Sequence, residues 1–118
     1  MTIKNFRELI VWQKGVELTE LVYKITKSFP KHEQYCLNQQ IRRCAISIPS
    51  NIAEGFARKH NKEFKQFLYI SLGSLAELET QLEIANKLAY MNNKIYDNII
   101  TEVTHEYKMI LNLIKKLK

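Results

Sequence analysis

Residues 41–58 read IRRCAISIPSNIAEGFAR, and whether this stretch forms one helix decides the fold. It lies between two long segments of helical periodicity, yet it holds a proline, two serines, an asparagine and two adjacent arginines. Wound at 100° per residue, these residues sort onto separate faces. Ile41, Cys44, Ile48 and Ile52, with Leu37 upstream, form an apolar stripe edged by Ala45 and Gly55. Arg43, Ser47, Ser50 and Glu54 form a polar stripe bordered by Asn51 and Arg58. Arg42, Ile46, Pro49, Ala53 and Phe56 form a third, mainly apolar side that is expected to face away from the core. One helix is therefore predicted, bent near Pro49, where the missing N–H removes an intrahelical bond. Ser47 and Ser50 are candidates to satisfy the backbone groups released there. Arg43 and Glu54 stand eleven residues apart, about 16 Å along the axis, and cannot pair with each other. Both are expected to be partly buried and paired elsewhere, with Glu79 and Glu83 of the next helix as candidate partners for Arg42 and Arg43.

Working outward, three more segments carry the same period. In residues 6–27, Asn5 followed by Glu8 reads as a capping box. Val11, Leu18, Val22 and Ile25 make one stripe there, and Trp12, Val16, Thr19 and Tyr23 make a second, about 100° away. Residues 62–90 place Phe64, Phe67, Leu68, Ser71, Leu75, Leu78, Leu82, Ala85 and Ala89 on one side, and Ile70, Ser74, Ile84 and Leu88 on another. Residues 94–117 have one broad face of Tyr96, Ile99, Ile100, Val103, Tyr107, Ile110, Leu111 and Ile114, and end in lysines that suit the negative end of a helix dipole. The breaks are short: Pro30 can start a helix but not continue one, Asn61 stands where it could cap the third segment, and Asn92 and Asn93 offer a turn and a cap. Connections this short force antiparallel neighbours. The prediction is all-α: a single domain over residues 1–118, folded as an up-down-up-down four-helix bundle. A monomeric bundle needs one buried stripe per helix, so the second apolar sides carrying Trp12, Tyr23, Ile46, Phe56, Ile70 and Leu88 point to subunit contacts.

The composition agrees. Three glycines and two prolines in 118 residues leave little material for the tight turns of an all-β fold, and 46% hydrophobic residues suit one packed domain. No run approaches the roughly 18 apolar residues of a membrane span. The N-terminal MTIKNFRELIVWQKG has no small-residue cleavage site and does not read as a signal peptide, so a cytoplasmic protein without a membrane partner is expected. Cys36 and Cys44 are about 12 Å apart on one predicted helix, too far for a mutual disulfide, and both are expected to be buried free thiols.

Catalytic chemistry finds little footing. His32, His60 and His105 fall on different segments with no His or Glu partner at helical spacing, so no metal is expected. The isolated glycines make no phosphate loop, and neither Ser47 nor Ser50 has a neighbouring histidine. No enzyme activity and no cofactor are expected. The net charge of +6 permits nucleic acid or acidic proteins as partners, although a soluble small domain can carry that charge for solubility alone.

Several pieces in order carry a resemblance. L-x-V-W-Q, F-P-x-x-E, Q-x-R-R, S-I-x-x-N-I-A-E-G and G-S-L-x-E-x-E-T span residues 6–90, followed by a compatible fourth helix. The chain resembles the small bacterial four-helix-bundle proteins first noted in intervening sequences of 23S ribosomal RNA genes. Cys44 stands where that family usually has a small residue such as Ala. The resemblance implies ring-like homopentamers and no known enzymatic activity. A relative is the accessory protein of diversity-generating retroelements, whose ring binds a reverse transcriptase and nucleic acid. On the same resemblance Arg42, Arg43, Asn51, Glu54 and Glu79 are motif residues that hold the bundle or ring together.

The candidate nucleic-acid-binding residues are Arg58, Lys59, Lys62 and Lys65 at the turn between the second and third helices, with His60 beside them. Lys115, Lys116 and Lys118 join them, because an antiparallel bundle brings the ends of helices two and four to the same end. Fivefold repetition would make a positive rim suited to phosphate backbones. No aromatic platform for single strands is evident in the sequence. The alternative reading is a protein-binding adaptor or scaffold ring with no nucleic-acid contact.

Overall fold

The computed structural model describes residues 2–118. Four helices follow in order: α1 Ile10–Thr26, α2 Leu37–Ala57, α3 Asn61–Lys87 and α4 Asn93–Lys116, with short 3-10 turns at Phe6–Glu8 and Lys31–Glu33. Each helix packs on its sequence neighbour and α1 closes against α4, giving the predicted four-helix bundle, 45 Å long. The core fills from all four: Val22, Ile41, Ile48, Ile52, Leu68, Leu75, Leu78, Leu82, Ile99 and Ile110 are wholly buried.

α2 runs unbroken through Pro49. Proline has no N–H to give the Ala45 carbonyl, and Thr19 of α1 supplies the missing donor: its Oγ1 lies 3.1 Å from that oxygen and 2.8 Å from the Gly15 carbonyl. The serines expected there act elsewhere. Ser47 donates to the Cys44 carbonyl at 2.6 Å and meets Ser74 of α3 at 2.7 Å, while Ser50 is exposed. The third side of α2 is not wholly turned outward either. Pro49 is buried against Gly15 of α1, and Ala53 and Phe56 are half-buried.

The helix ends show how little local signals bind. The Asn5–Glu8 capping box forms, but it closes the 3-10 turn, and α1 starts only at Ile10. Asn92 caps α4 through the Ile95 N–H at 2.8 Å. Asn61 is no cap: it is the first residue of α3, and His60 precedes it without a side-chain cap bond. Ala89, expected in the core, instead adopts φ 63° just past α3 and is exposed. The Tyr90 N–H then reaches back to the Ala85 carbonyl at 3.0 Å, a Schellman closure with alanine in glycine's usual place. Tyr90 donates its hydroxyl to Glu33 Oε2 at 2.7 Å, and Glu33 Oε1 accepts the Leu37 N–H at the head of α2. That is the physical content of the F-P-x-x-E segment: one carboxylate ties the start of α2 to the end of α3. The bond from Tyr90 holds the Glu33 carboxyl below its ordinary pKa and raises that of Tyr90.

Candidate nucleic-acid interface

α2 ends at Ala57, and the chain reverses within three residues. Lys59 makes the reversal at φ 64°, a left-handed conformation that costs a non-glycine residue about 1 kcal/mol. The C-terminus arrives at the same place: the Asn61 amide is 3.5 Å from the Lys118 carbonyl oxygen. Lys59, Lys62, Lys115, Lys116 and Lys118 are exposed and Lys65 half-exposed. Among the described residues none of these lysines is in an ion pair. Arg58 differs. It bonds Glu54 at 3.1 Å and lies over the Phe67 ring at 5.1 Å, so part of its charge is already answered. Sequence reasoning missed Lys4, which the N-terminal turn brings to the same end beside Lys59. A residue so far away in the chain gives no local signal of that neighbourhood.

The motif residues divide. Arg42 is a true tie: its Nε donates to Thr26 Oγ1 at 2.8 Å, its Nη2 lies 3.4 Å from the Tyr23 carbonyl, and its guanidinium covers the Tyr23 ring at 4.5 Å. Asn38 adds a bond to the Thr26 carbonyl at 3.0 Å. Asn51 bonds back to the Ser47 carbonyl inside α2. Arg43 and Glu54, expected partly buried, are exposed, and Glu54 pairs with Arg58 one turn on rather than with a distant group. Glu79 and Glu83 do not pair with Arg42 or Arg43. They lie near Tyr96, whose pKa is raised by burial first and by the two carboxylates next. Because the Glu54–Arg58 pair is solvated, Glu54→Ala is expected to lower stability by under about 1 kcal/mol, read as the shift in the urea midpoint. A loss of several kcal/mol would place Glu54 in a buried contact between copies.

Apolar surface stands outside the core on α1, α2 and α3. The second stripes of α1 and α2 face each other across a groove of about 730 Å³, with Trp12, Val16 and Tyr23 on one wall and Ile46, Pro49 and Ala53 on the other. On the outer side of α3, Ile70, Ile84 and Leu88 are about half exposed, and Gly73 between them has open space where a side chain would stand. A glycine inside an exposed helix costs about 1 kcal/mol relative to Ala, so its place on an apolar face fits a surface approached by another backbone.

Among the described residues no three His, Cys, Asp or Glu side chains converge as a metal site, and no helix is long and apolar enough to cross a membrane. Cys44 is buried and donates to the Ser74 carbonyl at 3.0 Å; burial, and secondarily Glu77, push its pKa up to about 12. Cys36, expected buried on the second helix, stands just before α2 and is exposed.

The family model described as 23S rRNA-intervening sequence protein matches residues 7–112. A crystal structure of a protein of unknown function from the S23 ribosomal protein family of Bacteroides thetaiotaomicron VPI-5482 is similar, with TM-score 0.82 and 25% identity. The match covers 91% of this chain and 96% of that one. No curated protein matches the chain.

Proposed function

Because the chain belongs to the 23S rRNA-intervening sequence protein family, we propose that it works as a non-enzymatic homo-oligomer, a pentamer, that binds RNA or another nucleic acid through its basic end. The observation that carries this reading is that the turn bearing Lys59, Lys62 and Lys65 lies at the same end of the bundle as the C-terminal lysines, joined through Asn61 and Lys118, with Lys65 half-exposed, the others exposed, and none in an ion pair among the described residues. A solvated lysine gives little to folding, whereas several on one edge can each displace a counterion from a phosphate chain. The groove between α1 and α2 and the Gly73 face of α3 support subunit contacts that repeat the edge around a ring. A reverse transcriptase or another nucleic-acid-processing protein would then meet its substrate on that ring.

The test is filter binding to single-stranded RNA across a salt series. The variant carries Gln at Arg58, Lys62 and Lys65 and Asn at Lys59, the last because Asn tolerates positive φ. The wild type is expected to lose affinity with salt, by about 0.7 in log–log slope per phosphate neutralised. The variant is expected to bind more weakly with a shallower slope, and both proteins to scatter light as five times 14.0 kDa. Equal slopes would reject the patch. No binding by the wild type at low salt would favour a scaffold that contacts protein alone.

A further inference from the structure

Beside the basic turn lies a second cavity, of about 720 Å³, that the charge pattern does not account for. Three elements build its apolar walls: Phe6 from the N-terminal turn, Phe56 from the end of α2 and Phe64 from the start of α3. Phe56 and Phe64 stand edge to face with ring centroids 5.8 Å apart, and Phe64 is nearly buried, so this wall is held by the core. Phe6 stands edge to face with Trp12, ring centroids 5.2 Å apart, and the Arg7 guanidinium lies over the Phe6 ring at 4.7 Å. Leu113 and Leu117 of the C-terminal segment complete the apolar lining.

The polar lining has one sign. Lys4, Asn5, Lys59, His60 and Asn61 line the cavity, and among the described residues no carboxylate lines it, the Glu8 carboxylate that accepts the Asn5 N–H at 3.1 Å standing outside the lining. Lys4 and Lys59 are exposed and make no ion pair among the described residues. An occupant matching this lining carries apolar flat surface and negative charge on one molecule. The cavity is within the range that holds small ligands. The groove between α1 and α2 is different: Glu20 lines it together with Lys24 and Lys27, a mixed edge that favours no anion.

We propose that this pocket takes one unstacked nucleobase of a single-stranded nucleic acid, while Lys4 and Lys59 hold the phosphate beside it. The assignment rests on the nucleic-acid reading above and deepens it. Backbone charge would bring the strand to the basic end, and the phenylalanine pocket would hold a base there without reading its identity. Stacking on an aromatic ring is available to every base, so little sequence preference is expected. Single-stranded segments would be preferred to duplex, because a base inside a helix cannot enter the pocket without being unstacked.

The experiment compares two fluorescent oligonucleotides of equal length and charge, one of ordinary thymidylates and one abasic throughout, at fixed salt. The wild type is expected to bind the base-bearing strand about tenfold more tightly or better, the difference one or two stacked bases make. Phe6→Leu removes an aromatic wall and keeps it apolar. Ala57→Leu, at an exposed residue of the lining, narrows the pocket without an aromatic ring. Both variants are expected to bind the abasic strand as the wild type does, with an unchanged salt slope, and to lose most of the preference for bases. Equal wild-type affinity for the two strands would overturn the pocket while leaving the basic end intact. No binding of either strand at low salt would overturn both. Variants that change the light-scattering mass and leave the base preference untouched would assign the pocket to a neighbouring copy, and that too overturns the proposal.

Discussion

Glu106→Gln is expected to stabilise the protein at pH 8 by about 3 kcal/mol or more, and to remove most of the fall in wild-type stability between pH 4.5 and 8. Glu106 sits on the inner face of α4, 2% exposed, and neither carboxyl oxygen has a hydrogen-bond partner among the described residues. Oε2 lies 3.2 Å from where a side chain on Gly15 would begin, a point that Pro49 of α2 also approaches to 3.3 Å, so the carboxyl sits at the close approach of α1 and α2. Desolvation there raises its pKa from 4.5 to about 8. The charges that face it come from α1: Lys14, which offsets the rise in part, and Glu17, which adds to it.

The sign follows from proton counting. Between pH 4.5 and 8 the folded chain keeps a proton on Glu106 that the unfolded chain has released, so stability falls as pH rises, and above 8 the loss is complete. A shift from 4.5 to about 8 amounts to roughly 5 kcal/mol across that window. Glu33 acts in the opposite direction and in a different window. Its lowered pKa supports folding above 4.5, and that support is lost only as pH falls further. Urea unfolding at a series of pH values and fixed protomer concentration separates the two. Parallel stability curves for wild type and Glu106→Gln would show that Glu106 finds a partner in the folded protein.

Gly55→Ala is expected to destabilise the bundle by about 2 kcal/mol, although alanine is the better helix former by about 1 kcal/mol. A Cβ on Gly55 would stand 2.6 Å from the Phe67 Cβ and 3.1 Å from Phe64 Cδ1. The first of these atoms is fixed to the α3 backbone, so no rotamer change relieves the overlap, and α2 and α3, the most extensively packed pair of helices, must move apart there. Gly73→Ala is the internal control. Its new methyl would meet nothing within 4 Å in one copy, so a gain of up to about 1 kcal/mol is expected in the isolated chain. If α3 packs on a second copy through Gly73, the same methyl lowers the mass measured by light scattering instead. A Gly55→Ala protein as stable as wild type would show that the α2–α3 seam has slack.

The sequence by itself determined the four helices, their antiparallel order and most of the core. Those properties follow from apolar residues recurring at 3.6-residue spacing and from connections too short to cross the bundle. Ile41, Ile48 and Ile52, Leu75 and Leu82, Ile99 and Val103 were all legible in this way, because each stripe lies within one helix. The basic turn at residues 58–65 was legible for the same reason. What only the tertiary structure decided involves residues that meet across the chain. Thr19 answers the carbonyl that Pro49 leaves open, and Lys4 and Phe6 come round to the turn after α2. Glu106 is the sharpest case. A glutamate on an amphipathic helix reads as solvated, and it becomes a buried acid where Gly15 of another helix has no side chain to take the space its carboxyl occupies. Periodicity reports which way a residue points along its own helix. Whether water, a backbone carbonyl or another side chain waits there depends on how the helices are set against one another.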